Sequence, residues 1–430
     1  MSNFLRDFTS IGFSKGVMII SGLTTSIIIA RVLGPEKNGL IASLLVYPGL
    51  FMTIGSLGIS QSTTYFIGKS IYTDEQVKRA ITQIWFFSTF VSLISCFLLI
   101  RYLSNSGENL MYIMLALSPI PFSLFNTYNS GYFLGKNQIR TFNKINWIPS
   151  VVILVSTVMF ILIFPMGING YLIALTGGPL FIAVLLIFKN KFFKSFSIKV
   201  DWKIIRKMLS LGFVYALALL VMNLNYRLDI ILLDLLSTNF ETGIYSKGSN
   251  ITQHLWQIPM LMGTIVFARS AVSKDGLAFS KKIAQLLRLS FLAISAASIV
   301  LVFFSDIIII GLFGEEFRES ISVLNYLMPG VILLTIFKVM NMDLAGKGKP
   351  WVSLFVMAPA LIINVILNFL LIPKYQADGA AIASTISYAC AGIAFLFLYS
   401  KSSKISVKEI ITYKKSDFDP IFEIIKKIRK

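Results

Sequence analysis

The segment FPMGINGYLIALT at residues 164–176 has a counterpart, IPKYQADGAAIAST, at residues 372–385. Each ends an apolar run at a proline, makes a polar turn and starts a new apolar run. Five further pairs keep the same order at a nearly constant offset of 200–211 residues. They are SIGF (10–13) with SLGF (210–213), ARVLGPEKNGLIAS (30–43) with LDLLSTNFETGIYS (233–246), SPI (118–120) with MPG (328–330), YFLGKNQ (132–138) with DLAGKGK (343–349), and WIP (147–149) with MAP (357–359). This regularity predicts that the chain consists of two copies of one unit.

The composition indicates what kind of unit is repeated. Hydrophobic residues make up 56% of the 430 residues, charged residues make up only 14%, and the mean hydropathy is +0.77. A soluble core cannot bury this much apolar surface, whereas about twelve membrane spans of ~20 residues can. We therefore predict an all-α polytopic membrane protein with about 12 transmembrane helices. Its apolar runs lie at residues 11–30, 40–66, 81–100, 110–134, 146–165, 169–188, 209–235, 244–268, 289–313, 322–345, 352–373 and 379–400.

The number of spans per copy determines how the two copies are oriented. Because six is even, both copies begin on the same side of the membrane, and the repeat is parallel about an axis along the membrane normal. We assign residues 1–200 to an N-terminal six-helix lobe, 201–400 to a C-terminal six-helix lobe and 401–430 to a basic tail. The paired prolines of the repeat are expected to kink corresponding helices. Two such bundles are typical of transporters with a central site.

The basic residues predict the orientation in the membrane. With both termini on one side, 31 of the 39 Lys and Arg residues lie on that side and five on the opposite side. This bias places both termini in the cytoplasm according to the positive-inside rule. It also accounts for the net charge of +19 without a nucleic-acid partner. The basic segment KKSDFDPIFEIIKKIRK (414–430) is expected either to lie on anionic lipid as an amphipathic segment or to be solvated.

The residue content argues against an enzyme and against a bound cofactor. The two cysteines, Cys96 and Cys390, lie inside apolar runs and His254 is the only histidine, so no metal site or cofactor is expected. The chain has no Walker-type GxxxxGKS/T stretch for ATP. The loops on the outer side are too short to carry the catalytic groups of a polysaccharide polymerase or ligase. We therefore predict a transporter rather than an enzyme.

One span carries charged residues in its middle, where insertion of a charge costs about 2.5–3.5 kcal/mol. The segment NYRLDIILLD (225–234) contains Arg227 and Asp229. These residues are about 200° apart on a helix, so they cannot form a simple local pair. Asn223 lies one turn before Arg227 on the same face. The corresponding helix of the first copy is uncharged at these positions, so the fold itself does not require the charges.

The polar residues embedded in the apolar runs are candidates for a substrate path. Cations outnumber acids among them, which suits an anionic substrate better than a cationic drug. A structural role is the alternative for each: an ion pair between helices, snorkelling to the interface, or support of a loop. The candidate substrate-binding residues are Lys15, Arg31, Asn223, Asn225, Arg227, Lys247 and Lys338, and the candidate ion-coupling residues are Asp229 and Asp343.

Three motifs resemble a known family. They are ARVLGPEKNG (30–39) after the first run, GIYSKGSN (243–250) after the seventh, and LIPKYQADGAAIASTISY (371–388) across the last hairpin. All three are similar to motifs of the polysaccharide flippases of the Wzx type, which belong to the multidrug/oligosaccharidyl-lipid/polysaccharide exporter superfamily. The similarity covers nearly the whole chain, but the motifs are loop patterns and do not identify a sugar.

The resemblance implies two six-helix lobes forming a V in a bacterial inner membrane. The implied substrate is an oligosaccharide repeat unit on undecaprenyl diphosphate, as in O-antigen and lipopolysaccharide biosynthesis, moved from the cytoplasmic to the outer leaflet. Further candidate partners are membrane lipids, a coupling H⁺ or Na⁺, and a polysaccharide polymerase or other assembly proteins. Two alternatives remain: an ion-coupled multidrug exporter of the same superfamily, or a non-catalytic membrane component of a polysaccharide assembly complex.

Overall fold

The computed structural model describes residues 2–136, 138–189, 201–257, 275–349 and 351–419, and also 259, 260, 263, 266, 269, 270 and 273. Every regular element within these residues is a helix. The first elements are α1 (Ser2–Ile54), α2 (Ile59–Gly68), α3 (Asp74–Leu103), α4 (Leu110–Leu117), α5 (Pro119–Gly135), α6 (Ile139–Asn146), α7 (Ile148–Thr157), a π-helix (Val158–Ile163) and α8 (Gly167–Lys189). They are followed by α9 (Trp202–Leu236), α10 (Asn239–His254), α11 (Gly276–Phe303), α12 (Ser305–Phe313), a 3₁₀ turn (Glu315–Phe317), α13 (Ser320–Gly346), α14 (Val352–Ser403), α15 (Val407–Ile411) and a 3₁₀ turn (Lys415–Phe418).

The helices reproduce the predicted apolar runs. In the described part of the chain, nine helical stretches are long and apolar enough to cross a membrane. Two of them, Gly12–Gly68 and Val352–Ser403, each hold two predicted runs and contain a non-helical residue, Gly34 or Gln376. The predicted run at 244–268 lies partly outside the described residues. The prediction of an all-α polytopic membrane protein is confirmed.

Three helices begin well before their apolar runs. α3 starts after a capping box between Thr73 and Gln76, and the side chains of Asp201 and Asp275 cap α9 and α11. The apolar runs begin about two to four turns later. Hydropathy marks the part of a helix that lies in hydrocarbon, whereas a capped helix continues into the polar region. The runs therefore underestimate the helix lengths.

The paired prolines do not act alike in the two halves. α5 starts at Pro119, and α7 starts directly before Pro149. α13 and α14 instead stay helical through Pro329 and Pro359. A proline in the first turn of a helix leaves no unmatched N–H group, which favours a new start there. The predicted equivalence of the two pairs therefore does not extend to the helix boundaries.

Packing divides the chain into two compact units. The first consists of Met1–Ser246 with Leu312–Glu316, and the second of Lys247–Gly311 with Phe317–Lys430. Compact packing is a different criterion from repeated sequence. The lobes 1–200 and 201–400 that the repeat predicts therefore remain a prediction.

In the first unit, α1 is interrupted by a turn at Gly34. This residue adopts φ 71° and ψ 176°, a conformation that favours glycine. Nδ2 of Asn38 donates to the carbonyl oxygens of Ile29 and Gly34, at 3.0 and 2.7 Å. These bonds link the helical stretch before the interruption to the one after it. The helical stretch after the turn, Pro35–Ile54, is called α1b below.

A row of glycines brings α1b and the start of α2 close to α9 and α10. Gly39 lies against the backbone of Asn239 and Gly243, and Gly58 lies against the backbone of Gly212. A Cβ atom at either Gly39 or Gly58 would overlap main-chain atoms of the facing segment. Gly39 and Gly58 are 19 positions apart, and the helix from Gly39 to its end at Ile54 is about 22 Å long. This antiparallel contact is called the glycine seam.

In the second unit, the segment after α14 docks on α11 through a buried ion pair. Nε and Nη2 of Arg288 donate to the Asp417 carboxylate at 2.7 and 2.6 Å, and both side chains are almost fully buried. Nη1 donates to two main-chain carbonyl groups of α15. Residues 404–419 therefore contact α11, and the expectation that the segment 414–430 is solvated or lipid-bound stays a prediction. Residues 420–430 lie outside the described residues.

Candidate functional site

Arg227 lies in the middle of the glycine seam. Its guanidinium group faces Gly49 of α1b, so closely that a Cβ atom at residue 49 would be 2.5 Å from Nη1 and 3.0 Å from Cζ. The side chain is half-buried and has no hydrogen-bond or ion-pair partner among the described residues. Its N–H donors are therefore available to an acceptor from outside the chain.

Two asparagines precede Arg227 on α9. Nδ2 of Asn223 donates to the carbonyl oxygen of Leu219 at 2.9 Å, and Nδ2 of Asn225 donates to that of Val221 at 3.2 Å. Bonds of this kind satisfy part of each amide within its own helix. Asn223 is half-buried and shares the face of Arg227, whereas Asn225 is fully buried. The geometry favours Asn223 over Asn225 as a substrate contact, and both assignments remain predictions.

Asp229 contacts a different helix from Arg227. Its Oδ2 accepts a hydrogen bond from Oη of Tyr245 on α10 at 2.6 Å, and its side chain is fully buried. The two contacts agree with the angle of about 200° between the residues on α9. A buried carboxylate on a hydroxyl donor suits proton or cation binding, and the coupling role of Asp229 remains a prediction.

Arg31 and Lys15 lie at opposite ends of the first span. They are 16 residues apart on α1, which corresponds to about 24 Å. Nε of the exposed Arg31 donates to the carbonyl oxygen of Leu312 at 2.8 Å, which supports the loop-holding alternative for Arg31. Lys15 is half-buried. A substrate role for either residue remains a prediction.

In the second unit, Lys338 of α13 packs on an aromatic pair. Its Nζ lies 4.7 Å from the ring centroid of Trp256, and the ring of Tyr388 meets Trp256 edge-on at 5.8 Å. The indole N–H of Trp256 donates to the carbonyl oxygen of Val331 at 3.1 Å. A fixed aromatic face stabilises the ammonium group through a cation–π interaction. These contacts favour a fixed cation over the snorkelling alternative.

Lys247 occupies a different place from the one expected. The sequence places it at the start of a helix, whereas α10 already begins at Asn239, so Lys247 lies in the second half of that helix. Its side chain is 5% exposed. The helix begins earlier because its first turns are polar and carry no hydropathy signal. The substrate role of Lys247 remains a prediction.

Asp343 lies at the centre of a closed polar network in the second unit. Its carboxylate accepts hydrogen bonds from Oγ of Ser270 at 2.5 Å, Oγ of Ser280 at 2.8 Å and Oη of Tyr399 at 2.6 Å. Nζ of Lys347 adds an ion pair at 2.9 Å. Four donors on two oxygens satisfy a buried carboxylate, so the geometry favours the structural alternative. An ion-coupling role for Asp343 remains a prediction with little geometric support.

Reading the sequence identified the charged candidates but not their uncharged neighbours. Gly49, Tyr245 and Trp256 form the contacts described above, and none of them carries a charge. For Gly49 one signal was present, since Gly39, Gly49 and Gly58 recur at intervals of nine or ten residues, directly before and within the apolar run 40–66. For Tyr245 and Trp256 no signal distinguishes them from other aromatic residues of the core.

The chain is similar to known proteins over most of its length. A sequence profile of the polysaccharide biosynthesis protein family matches residues 4–268, more than half of the chain. A putative O-antigen transporter of Shigella flexneri is 25% identical over 397 residues, which cover 87% of this chain and 92% of that protein. These matches confirm the resemblance inferred from the motifs.

Solved structures share the fold. Lipid II flippase MurJ, in an inward closed conformation, matches with a TM-score of 0.75 at 14% identity and covers 96% of this chain and 95% of its own. A multidrug resistance MATE family transporter of the MOP superfamily, in an inward-facing conformation, matches with a TM-score of 0.73 at 15% identity, over 91% of this chain and 96% of its own. At these identities the likeness establishes the fold alone.

Proposed function

The chain belongs to the polysaccharide biosynthesis protein family and is a transporter rather than an enzyme, and from this premise we propose that it is a flippase for a lipid-linked oligosaccharide. The proposed substrate is an oligosaccharide repeat unit on undecaprenyl diphosphate. The proposed transport is from the cytoplasmic to the outer leaflet of a bacterial inner membrane, for assembly of a surface polysaccharide such as O-antigen.

Arg227 carries this proposal. A diphosphate needs several hydrogen-bond donors when it leaves water, and a guanidinium group offers them in a planar fork that fits phosphate oxygens. Keeping this cation in the middle of an apolar helix costs about 2.5–3.5 kcal/mol. The side chain has no protein acceptor within the described part of the chain, so an anionic ligand is the simplest compensation for that cost.

The relatives support the proposed substrate class, and the charge distribution supports the proposed orientation in the membrane. The Shigella flexneri relative is a putative O-antigen transporter, and MurJ, which shares the fold, is a lipid II flippase. The first name refers to a surface antigen and the second to a lipid. The bias of 31 to five basic residues supports cytoplasmic termini. The direction of transport rests on the family resemblance.

A coupling ion and protein partners belong to the same proposal. Asp229 is the proposed H⁺ or Na⁺ site, because it is a buried carboxylate close in sequence to Arg227 on α9. Protonation or cation binding there would change the charge next to the proposed diphosphate contact. A polysaccharide polymerase or other assembly proteins are the proposed protein partners at the outer leaflet.

The test is a flipping assay with the full chain in liposomes. The substrate is undecaprenyl-diphosphate-linked oligosaccharide, and the measurement is the rate at which it becomes accessible to a membrane-impermeant glycosidase. We expect Arg227→Ala to lower the initial rate roughly 10- to 100-fold, the loss expected for hydrogen bonds to a charged group. The initial rate with Arg227→Lys should lie between the rates of the wild type and of Arg227→Ala, because an ammonium group keeps the charge but not the planar fork.

The matched control is Arg79→Ala. Arg79 is exposed, and within the described part of the chain it pairs with Glu75 on the same helix. Arg79→Ala therefore removes the same kind of side chain, and we expect no change in the transport rate. A wild-type protein that leaves the oligosaccharide inaccessible but exports a cationic dye would indicate the multidrug alternative. An unchanged rate with Arg227→Ala would remove Arg227 from the substrate path.

A further inference from the structure

We propose that Gly49 is a positioning residue for transport, because the absence of a side chain there lets the Arg227 guanidinium lie against α1b. The inference rests on the proposed function and adds a second residue to it. Gly49 itself does not touch the substrate in this proposal. It acts by determining where the donors of Arg227 are held.

The first argument is the space at Gly49. A Cβ atom added to this residue would lie 2.5 Å from Nη1, 3.0 Å from Cζ and 3.5 Å from Nη2 of Arg227. Non-bonded heavy atoms are in favourable contact at about 3.5–4.0 Å. Any side chain at residue 49 would therefore force the guanidinium group to move away from α1b.

The second argument is the difference between Gly49 and the other glycines of the seam. At Gly39 and Gly58 an added Cβ would meet main-chain atoms, so these two glycines allow the helices to approach each other. At Gly49 the three atoms nearest to the added atom all belong to the end of one side chain, Arg227. The helices could keep their distance with alanine at residue 49, and only the guanidinium would have to shift.

The third argument is the position of the pair along the seam. Gly49 is ten residues from Gly39 and nine from Gly58, so it lies about midway between the two backbone contacts. At the two ends of the seam main chain meets main chain, on α10 at Gly39 and on α9 at Gly58, and these contacts limit how far α1b and α9 can separate at Arg227. Bidentate hydrogen bonds depend strongly on geometry. A guanidinium held in one place between these two contacts donates to an oxyanion with better geometry than one on a loosely packed helix.

The test is Gly49→Ala in the flipping assay, alone and combined with Arg227→Lys. We expect Gly49→Ala to lower the initial rate by roughly tenfold, because displaced donors lose part of their bonds to the diphosphate. In the Arg227→Lys background the same substitution should change the rate less than about twofold, since no guanidinium remains to be displaced. Gly22→Ala on α1 is the matched control, because an added Cβ there meets no atom within 4 Å.

The comparison of backgrounds separates positioning from packing. A packing defect would lower the rate equally in both backgrounds, and that result would overturn the proposal. The proposal would also be overturned if Gly49→Ala left the rate unchanged while Arg227→Ala lowered it. If Arg227→Ala were itself silent, the contact in the proposed function would fail together with this inference. Rates are taken per folded protein, determined by size-exclusion chromatography, so that a partial loss of folded Gly49→Ala protein does not affect the comparison.

Discussion

Replacing Arg288 by alanine is expected to lower the free energy of unfolding by about 3–5 kcal/mol, the cost of removing one partner of a buried ion pair. The substitution leaves the Asp417 carboxylate, which is 2% exposed, without its guanidinium partner. It also removes the donor to two main-chain carbonyl groups of α15. The measurement is the unfolding midpoint of the purified protein in detergent, together with the protease sensitivity of the segment after α14.

The control for Arg288 is its surface neighbour on the same docking contact. Lys281 pairs with Glu409 at 3.3 Å, but the Lys281 side chain is 53% exposed, so Lys281→Ala should cost less than about 1 kcal/mol. Equal effects of the two substitutions would show that the buried pair does not hold the segment.

The same ion pair predicts a pH dependence. The Arg288 guanidinium donates two hydrogen bonds to Asp417 and so holds the pKa of that carboxyl below its ordinary value. A group with a lower pKa in the folded state stabilises the fold above its unfolded pKa of about 4, and this contribution is lost as the pH falls through the folded value. The stability difference between wild type and Asp417→Asn should therefore be constant from about pH 7 to 5 and shrink below about pH 4.

Replacing Asp343 by alanine is expected to have a comparable effect, about 3–5 kcal/mol on the free energy of unfolding. The carboxylate is fully buried and is the shared acceptor for Ser270, Ser280, Tyr399 and Lys347. Without it, three hydroxyl groups and one ammonium group lose a partner in a region that water reaches poorly. The measurement is the unfolding midpoint in detergent and the yield of monodisperse protein.

A second substitution distinguishes structure from ion coupling at Asp343. Asp343→Asn keeps the shape but presents an amide to the donors, so we expect an intermediate loss of stability. The exposed Asp306, which pairs with Arg318 at 3.7 Å, provides the control Asp306→Asn, with no expected change. A stable Asp343→Asn protein that no longer responds to H⁺ or Na⁺ would instead assign ion coupling to Asp343.

The transport class and the helices could be predicted because they depend on sums over many residues. Some local details could not. The capped start of α11 at Asp275 precedes the apolar run at 289, because caps are made by single polar residues that hydropathy averages out. The basic and polar composition of residues 404–419 gives no sign that they contact α11. Arg288, more than 100 residues earlier, supplies the contact that docks them.

The amino-acid sequence by itself determined that this is a polytopic helical transporter. It also predicted two repeated halves and singled out Arg227 as a charge without a counterpart in the first half. Hydropathy, charge bias and repetition persist whatever the details of packing, so they can be read before the chain is folded. Only the tertiary structure decided which side chains meet. Gly49 and Arg227 are 178 residues apart, and their contact depends on the antiparallel register of α1b and α9 and on the rotation of each helix about its axis. A shift of one residue would turn each side chain about 100° away, and no property of the single residues encodes that angle.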